Sequence, residues 1–322
     1  MMKRHVASLI THHSSLIIHP APFPMNSTLR TLGFSPSDRV VILHADDIGS
    51  SQGANAAYVE LLNAGILSSA ATMVPCPWFP AAAACCRQHR DDPRLDMGVH
   101  LTLNSEWDAY RWGPISTRDR ASGLLDDEGY FPRREPAVQT QADLDAVEQE
   151  LRAQIERALA AGIDVTHIDT HMLTLFHPRL LPIYLRLSGE YRLPAFLPRP
   201  GAGQLQRWGY SLASIEDLRQ QVFAAEAAGL PLCDHAVVMP LDHHQERQAE
   251  ALALLAQAPP GLTYFIFHPA IDSPELRAFA PDWRARVADY ELFISDAWRA
   301  ALAASGVQVI GWRPIRDAMS NS

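Results

Sequence analysis

From about residue 38 the chain alternates short apolar runs with stretches of helical periodicity. RVVILHADD comes first, then a helix candidate from Ala54 to Ala64 ending at Gly65, then LSSAATMVP, a helix around Ala81 to His89, and LDMGVHLTL. VTHIDTH, PAFLPRP, HAVVMP, LTYFIFHP and VQVIGWR bring the series to eight strand candidates. The runs are nearly continuous in apolar residues rather than alternating, which is how strands covered on both faces of a parallel sheet read. The helix before VTHIDTH is the clearest: Leu144, Val147, Leu151, Ile155 and Leu159 recur at helical spacing, and Gly162 stops it. Strands alternating with helices make βαβ units. The pattern predicts an α/β fold, a single-domain, distorted (β/α) barrel of the TIM-like kind with parallel strands, over residues 38–322.

One segment breaks the rhythm. Between Asn104 and Ala142 the chain carries Trp107, Tyr110, Trp112, Tyr130 and Phe131 among prolines, glycines and charges. A connection of this length inside a compact domain is functional or disordered, and its aromatic content argues against disorder. Residues 1–37 read as a loose N-terminal extension. Its basic residues and short apolar patches imitate a signal peptide, but His12, His13, Ser14 and Ser15 break the apolar run and no small-residue cleavage site follows. Met25 begins a more ordinary start, so residues 1–24 read as an over-extended gene start or a tail.

Composition narrows the field. The chain has 322 residues, 48% of them hydrophobic, enough to bury a large core. A net charge of −9 with both signs interspersed disfavours nucleic acid, whose phosphates call for clustered Lys and Arg. No apolar run approaches the length of a membrane span. Cys76, Cys85, Cys86 and Cys233 do not make a disulfide framework and read as buried free thiols in a reducing, cytoplasmic setting. A small polar substrate fits best, and a homodimer stays open.

The chemistry gathers at the C-terminal ends of the predicted strands, where a barrel assembles its active site. Asp46 and Asp47 end the first strand, and His100 lies late in the third. His167, Asp169 and His171 end the fourth, Arg199 follows the fifth, and His268 ends the seventh. Two adjacent carboxylates repel unless a cation or a shared proton relieves them, although an Asp there also suits a helix N-cap. His100 is either a satisfied core histidine or a ligand. In HIDTH, alternation puts His167, Asp169 and His171 on one face, and a strand ending near Asp169 lets His171 turn into the mouth. Asp47, His100 and His171 would together suit one divalent ion, Mg2+ or Zn2+, with a position open for water and Asp169 as partner to a ligand. His268, before Pro269, is a turn residue or a catalytic acid. Arg199 orients Asp46, touches substrate or makes a surface salt bridge. Trp107, Tyr110 and Trp112 stack on a sugar or anchor their loop. Asp242 reads as the N-cap of a helix over HQERQAEALALLAQ.

The order and spacing of HADDIGSSQGAN, AGILSSAATMV, GVHLTL, LLDDEGYF, THIDTH and HPA resembles the YdjC-like carbohydrate deacetylases, which include chitooligosaccharide deacetylases and hopanoid-associated relatives. The likeness runs from about Val40 to Trp312. It implies a distorted β/α barrel and a metal-dependent hydrolase that removes the N-acetyl group of an acetamido sugar. Asp47, His100 and His171 would bind the metal, Asp46 would be the general base and His268 the general acid. Two departures bear on the substrate: the fourth-strand motif continues as HMLTLFH, and the aromatic loop is long. Competing readings are a metal-dependent phosphoesterase, which wants more carboxylates and a basic pocket, and a glycoside hydrolase, which uses two carboxylic acids and no metal. A catalytically inactive sugar-binding relative would bind without turnover.

Overall fold

The computed structural model describes residues 26–199 and 211–320. Its strands are β1 (Arg39–Ile48), β2 (Ser69–Thr72), β3 (Met97–Leu101), β4 (Val165–Thr170), β5 (His235–Val238), β6 (Gly261–Phe267) and β7 (Gln308–Val309). All pair in parallel, in the order β4-β3-β2-β1-β6-β5, with β7 added to the start of β1. Two isolated parallel bridges, Ile168 to Ala195 and Pro198 to Cys233, carry the sheet from β4 round toward β5. The ring is a distorted barrel.

The fifth expected strand, PAFLPRP, is therefore present only as bridges. Pro194 and Pro198 have no N–H to give a ladder, so pairing is limited to contacts such as Phe196 N to Ile168 O and Cys233 N to Leu197 O, both 2.9 Å. Helices flank the ring: α1 (Ser27–Thr31), α2 (Gln52–Asn63), α3 (Phe79–Gln88), α4 (Glu135–Gln141), α5 (Leu144–Ala160) and α6 (Leu181–Tyr191). They continue with α7 (Leu212–Ala227), α8 (Arg247–Gln257), α9 (Pro274–Phe279), α10 (Trp283–Phe293), α11 (Asp296–Ala304) and α12 (Arg313–Ser320). No helix among the described residues is long and apolar enough to cross a membrane. The four cysteines are free and buried, and burial pushes the Cys86 thiol up to about 12.

Three expectations are corrected. The boundary at residue 38 falls inside structured chain, because α1 buries Leu29 and the Asn26 side chain donates to Leu232 O at 2.6 Å; residues 1–25 lie outside the described residues. On α5 the buried face is Val147, Glu150, Leu151, Gln154, Ile155 and Ala158, while Leu144 and Leu159 are exposed. Leu159 falls roughly 80° round the helix from Leu151, off the buried stripe. Asp242 caps nothing: α8 starts at Arg247 after Glu246, which has φ 59° and no capping hydrogen bond, where Arg247 enters the wall to meet Asp289 at 3.1 Å.

The barrel interior is polar and aromatic. His44 and Asp46 of β1, His100 of β3, His167 and Asp169 of β4 and Tyr264 of β6 face one another across it. Gly98 makes this possible, since a Cβ there would lie 2.4 Å from the His167 ring. Trp312, fully buried, stacks on His167 and meets Tyr264 edge-on.

Candidate metal centre and catalytic pair

Consecutive strand residues point to opposite faces, so Asp46 and Asp47 should not share a site. Two features bring them together. The register of β1 on β2 shifts between Ala45 and Ile48, and Asp47 adopts φ 62°. A left-handed backbone at a non-glycine residue is costly and concentrates at functional sites. Farther along the rim, β4 ends at Thr170, so His171 begins a short helical turn and leaves the strand face that His167 and Asp169 keep.

Asp47 Oδ1 stands 3.5 Å from His100 Nε2 and 3.3 Å from His171 Nδ1, and the two nitrogens are 3.3 Å apart. Donors about 2.1 Å from a tetrahedral ion are separated by about 3.4 Å. The far side of each group is held. Asp169 Oδ1 faces His100 Nδ1 at 2.7 Å, Glu106 Oε2 faces His171 Nε2 at 3.1 Å, and Arg286 donates to Asp47 Oδ2 at 2.7 Å. Asp47 Oδ1 is buried and accepts no hydrogen bond among the described residues. An orphaned carboxylate oxygen facing two imidazole nitrogens at these spacings fits a divalent cation, which would take the place of the protons those nitrogens otherwise hold. Burial alone would push the Asp47 carboxyl up, but the Arg286 guanidinium holds it well below the usual carboxylate range.

Asp46 lies beside this triad. Its Oδ1 is 2.8 Å from His44 Nε2, and its Oδ2 is 3.7 Å from His268 Nε2. Burial works against charge on His44, yet the carboxylates of Asp169 and Asp46 raise it to about 9. His268 is depressed below its ordinary value, chiefly by burial. Its backbone N–H donates to Asp289 at 3.0 Å, and burial lifts that carboxyl to about 6.

The other anticipated residues fall elsewhere. Asp169 sits behind His100, and its second oxygen is 3.1 Å from both His44 Nε2 and the Tyr264 hydroxyl. His167 lies deeper in the barrel, with Nδ1 3.0 Å from Thr166 Oγ1. Of the alternatives for Arg199, the structure has the salt bridge, buried rather than on the surface: Arg199 pairs with Glu226 and with Asp234 at 3.0 Å, and His44 is the group beside Asp46. Trp107 and Trp112 are 5% and 3% exposed, which favours the anchoring reading over stacking on a sugar. Tyr110 is half-buried, donates to Ser50 O at 2.7 Å and stacks on Phe279. His44, Glu106 and Arg286 were not anticipated. Arg286 and Asp289 did carry a signal: they fall in register with Leu292 and Phe293 on the buried face of α10.

A parallel α/β barrel with an Asp-His-His cluster on its C-terminal rim, beside a carboxylate and an imidazole, defines the class of rim-site barrel proteins suited to a divalent ion. The sequence matches the YdjC-like protein family over residues 40–304, and the chain belongs to that family. A protein named carbohydrate deacetylase from Thermus thermophilus is 34% identical over 281 residues, covering 87% of this chain and 95% of that protein. Another of that name from Brevibacillus brevis is 38% identical over 176 residues, 55% of this chain and 66% of its own length. A crystal structure of an Enterococcus faecalis V583 protein, named for cellobiose-phosphate cleavage, shares the fold with a TM-score of 0.70 at 22% identity, covering 86% of this chain and 98% of that one.

Proposed function

We propose that this chain is a metal-dependent deacetylase that hydrolyses the N-acetyl group of an acetamido sugar. The relatives named carbohydrate deacetylase support the reaction class. The observation that carries the chemistry is the position of Asp46 Oδ2 and His268 Nε2, 3.7 Å apart, beside the Asp47–His100–His171 triad. Amide hydrolysis needs a base for water and an acid for the leaving nitrogen, and these two groups supply both.

Asp47 Oδ1, His100 Nε2 and His171 Nδ1 would hold the ion, Mg2+ or Zn2+, whose chemistry is that of a Lewis acid, acidifying water and drawing electron density from the amide carbonyl. Asp46 accepts the proton of the attacking water at Oδ2. Burial keeps the resting His268 neutral near pH 7, so this imidazole takes up the proton Asp46 has gained and delivers it from Nε2 to the sugar nitrogen. The carbon–nitrogen bond then breaks to acetic acid and a free amine: one water proton is on the amine nitrogen and the other stays on the acid, which ionises to acetate and leaves the amine as its ammonium ion.

The test is acetate release from a panel of N-acetylated mono- and oligosaccharides, with and without a chelator. The reading expects release from at least one member, lost on chelation and restored by added divalent ion. Metal-loaded protein that frees no acetate from any of them would sink it.

A further inference from the structure

We propose that Glu106 is a positioning residue that fixes the tautomer of His171, so that the 104–142 loop is a working part of the metal centre. The inference rests on the reading of Asp47, His100 and His171 as ligands.

A neutral imidazole has one lone pair, and it lies on whichever nitrogen lacks the proton. The two histidines of the triad use opposite nitrogens. His100 presents Nε2 to Asp47 and gives Nδ1 to Asp169 at 2.7 Å. His171 presents Nδ1 at 3.3 Å and turns Nε2 toward Glu106 Oε2 at 3.1 Å. A carboxylate that accepts the Nε2–H commits the proton to that side and leaves Nδ1 free to ligate. Glu106 thus does for His171 what Asp169 does for His100, and such partners orient a ligand and raise its basicity.

The loop is built to deliver that carboxylate. Thr174, three residues after His171, donates its hydroxyl to Asn104 Oδ1, so the turn that carries the ligand also grips the start of the loop. Asn104 O accepts from the Trp112 indole at 2.7 Å, and Ser105 bonds both Pro132 O and the Trp112 N–H. On the other side of Glu106, Trp107 is buried against Phe279, with the Arg286 guanidinium 5.4 Å from its ring. Arg286 in turn holds Asp47. Residues 104–107 therefore support two of the three ligands from behind.

The experiment is zinc binding to the metal-free full chain, measured against a chromophoric chelator. Glu106→Ala is expected to bind on the order of 10–100-fold more weakly than the wild type, the range typical for loss of such a partner. Glu106→Gln keeps an acceptor oxygen and should lie between the two. Equal zinc affinity in wild type and Glu106→Ala would overturn the proposal, as would an equal loss in the Gln and Ala variants. Zinc binding that survives His100→Ala unchanged would overturn the ligand reading itself, a separate outcome.

Discussion

His44 and Asp46 share one face of the first strand, and Nε2 of the imidazole lies 2.8 Å from Oδ1 of the carboxylate, inside the barrel and below its mouth. The same nitrogen is 3.1 Å from Asp169 Oδ2, and the other ring nitrogen is 2.9 Å from Ser69 Oγ. One imidazole thus links the proposed base to the carboxylate that steadies His100. Burying ions in this way is expensive and seldom stabilises a fold, so an alternating acid–imidazole chain in a barrel core points to the site it serves.

That arrangement gives stability a pH signature. The folded pKa of His44 is raised to about 9 from an ordinary 6.5. A group with a raised folded pKa contributes stability that is complete below its unfolded pKa and is lost as pH rises through the folded one. In metal-free protein, the deficit in unfolding free energy of His44→Gln should therefore be largest below about pH 6.5 and shrink toward pH 9. The pH-dependent part is up to about 3 kcal/mol at 1.36 kcal/mol per unit. Urea titrations at several pH values would measure it, and a deficit independent of pH would rule out His44 as the titrating group.

The aromatic loop is held by its own core. Trp112 is buried, donates its indole N–H to Asn104 O at 2.7 Å and meets Trp107 edge-on. Truncating a buried Trp typically costs 3–5 kcal/mol. Trp112→Ala should show a loss on the order of that range in denaturant melts. A variant with unchanged stability and only a raised KM would restore Trp112 as a sugar platform.

Asp46 should separate chemistry from metal binding. Asp46→Asn leaves Asp47, His100 and His171 in place, so metal content by elemental analysis should match the wild type. Turnover should fall by roughly 10²–10⁴, the usual contribution of a positioned acid or base. Full activity in this variant would remove Asp46 from the base role; loss of the metal would make it a ligand.

Much of this was legible because strand ends are legible. Asp46, His100, Asp169 and His268 each close an apolar run, and a barrel brings such ends to one rim. What was hidden depends on backbone detail and distant packing. Nothing in HADDI announces that Asp47 takes a left-handed φ. Arg286 reaches Asp47 from a helix 239 residues away in the chain. Glu106 stands just after GVHLTLN, but inside a loop without periodicity no pattern marks where its carboxylate points. The fifth strand was visible as an apolar run, and the apolar pattern hid what its prolines do: lacking N–H groups, they leave it isolated bridges instead of a full ladder.

His268 offers the sharpest test of the proposed reaction. It follows β6 directly, its Nε2 faces Asp46 Oδ2 at 3.7 Å, and its backbone N–H is fixed by Asp289. An amine is a poor leaving group until protonated, whereas an aryl oxide departs without help. A residue that delivers a proton to the leaving atom should therefore matter far more for one substrate than for the other. His268→Ala should lose roughly 10²–10⁴ in kcat on an N-acetyl sugar, the range of general acid catalysis, and much less on an aryl acetate. Both rates come from one preparation, so a folding defect or a shortage of metal would lower them together and leave their ratio unchanged. Equal losses on the two substrates would make His268 a structural or oxyanion-binding group, and undiminished hydrolysis of the amide would take it out of the reaction altogether.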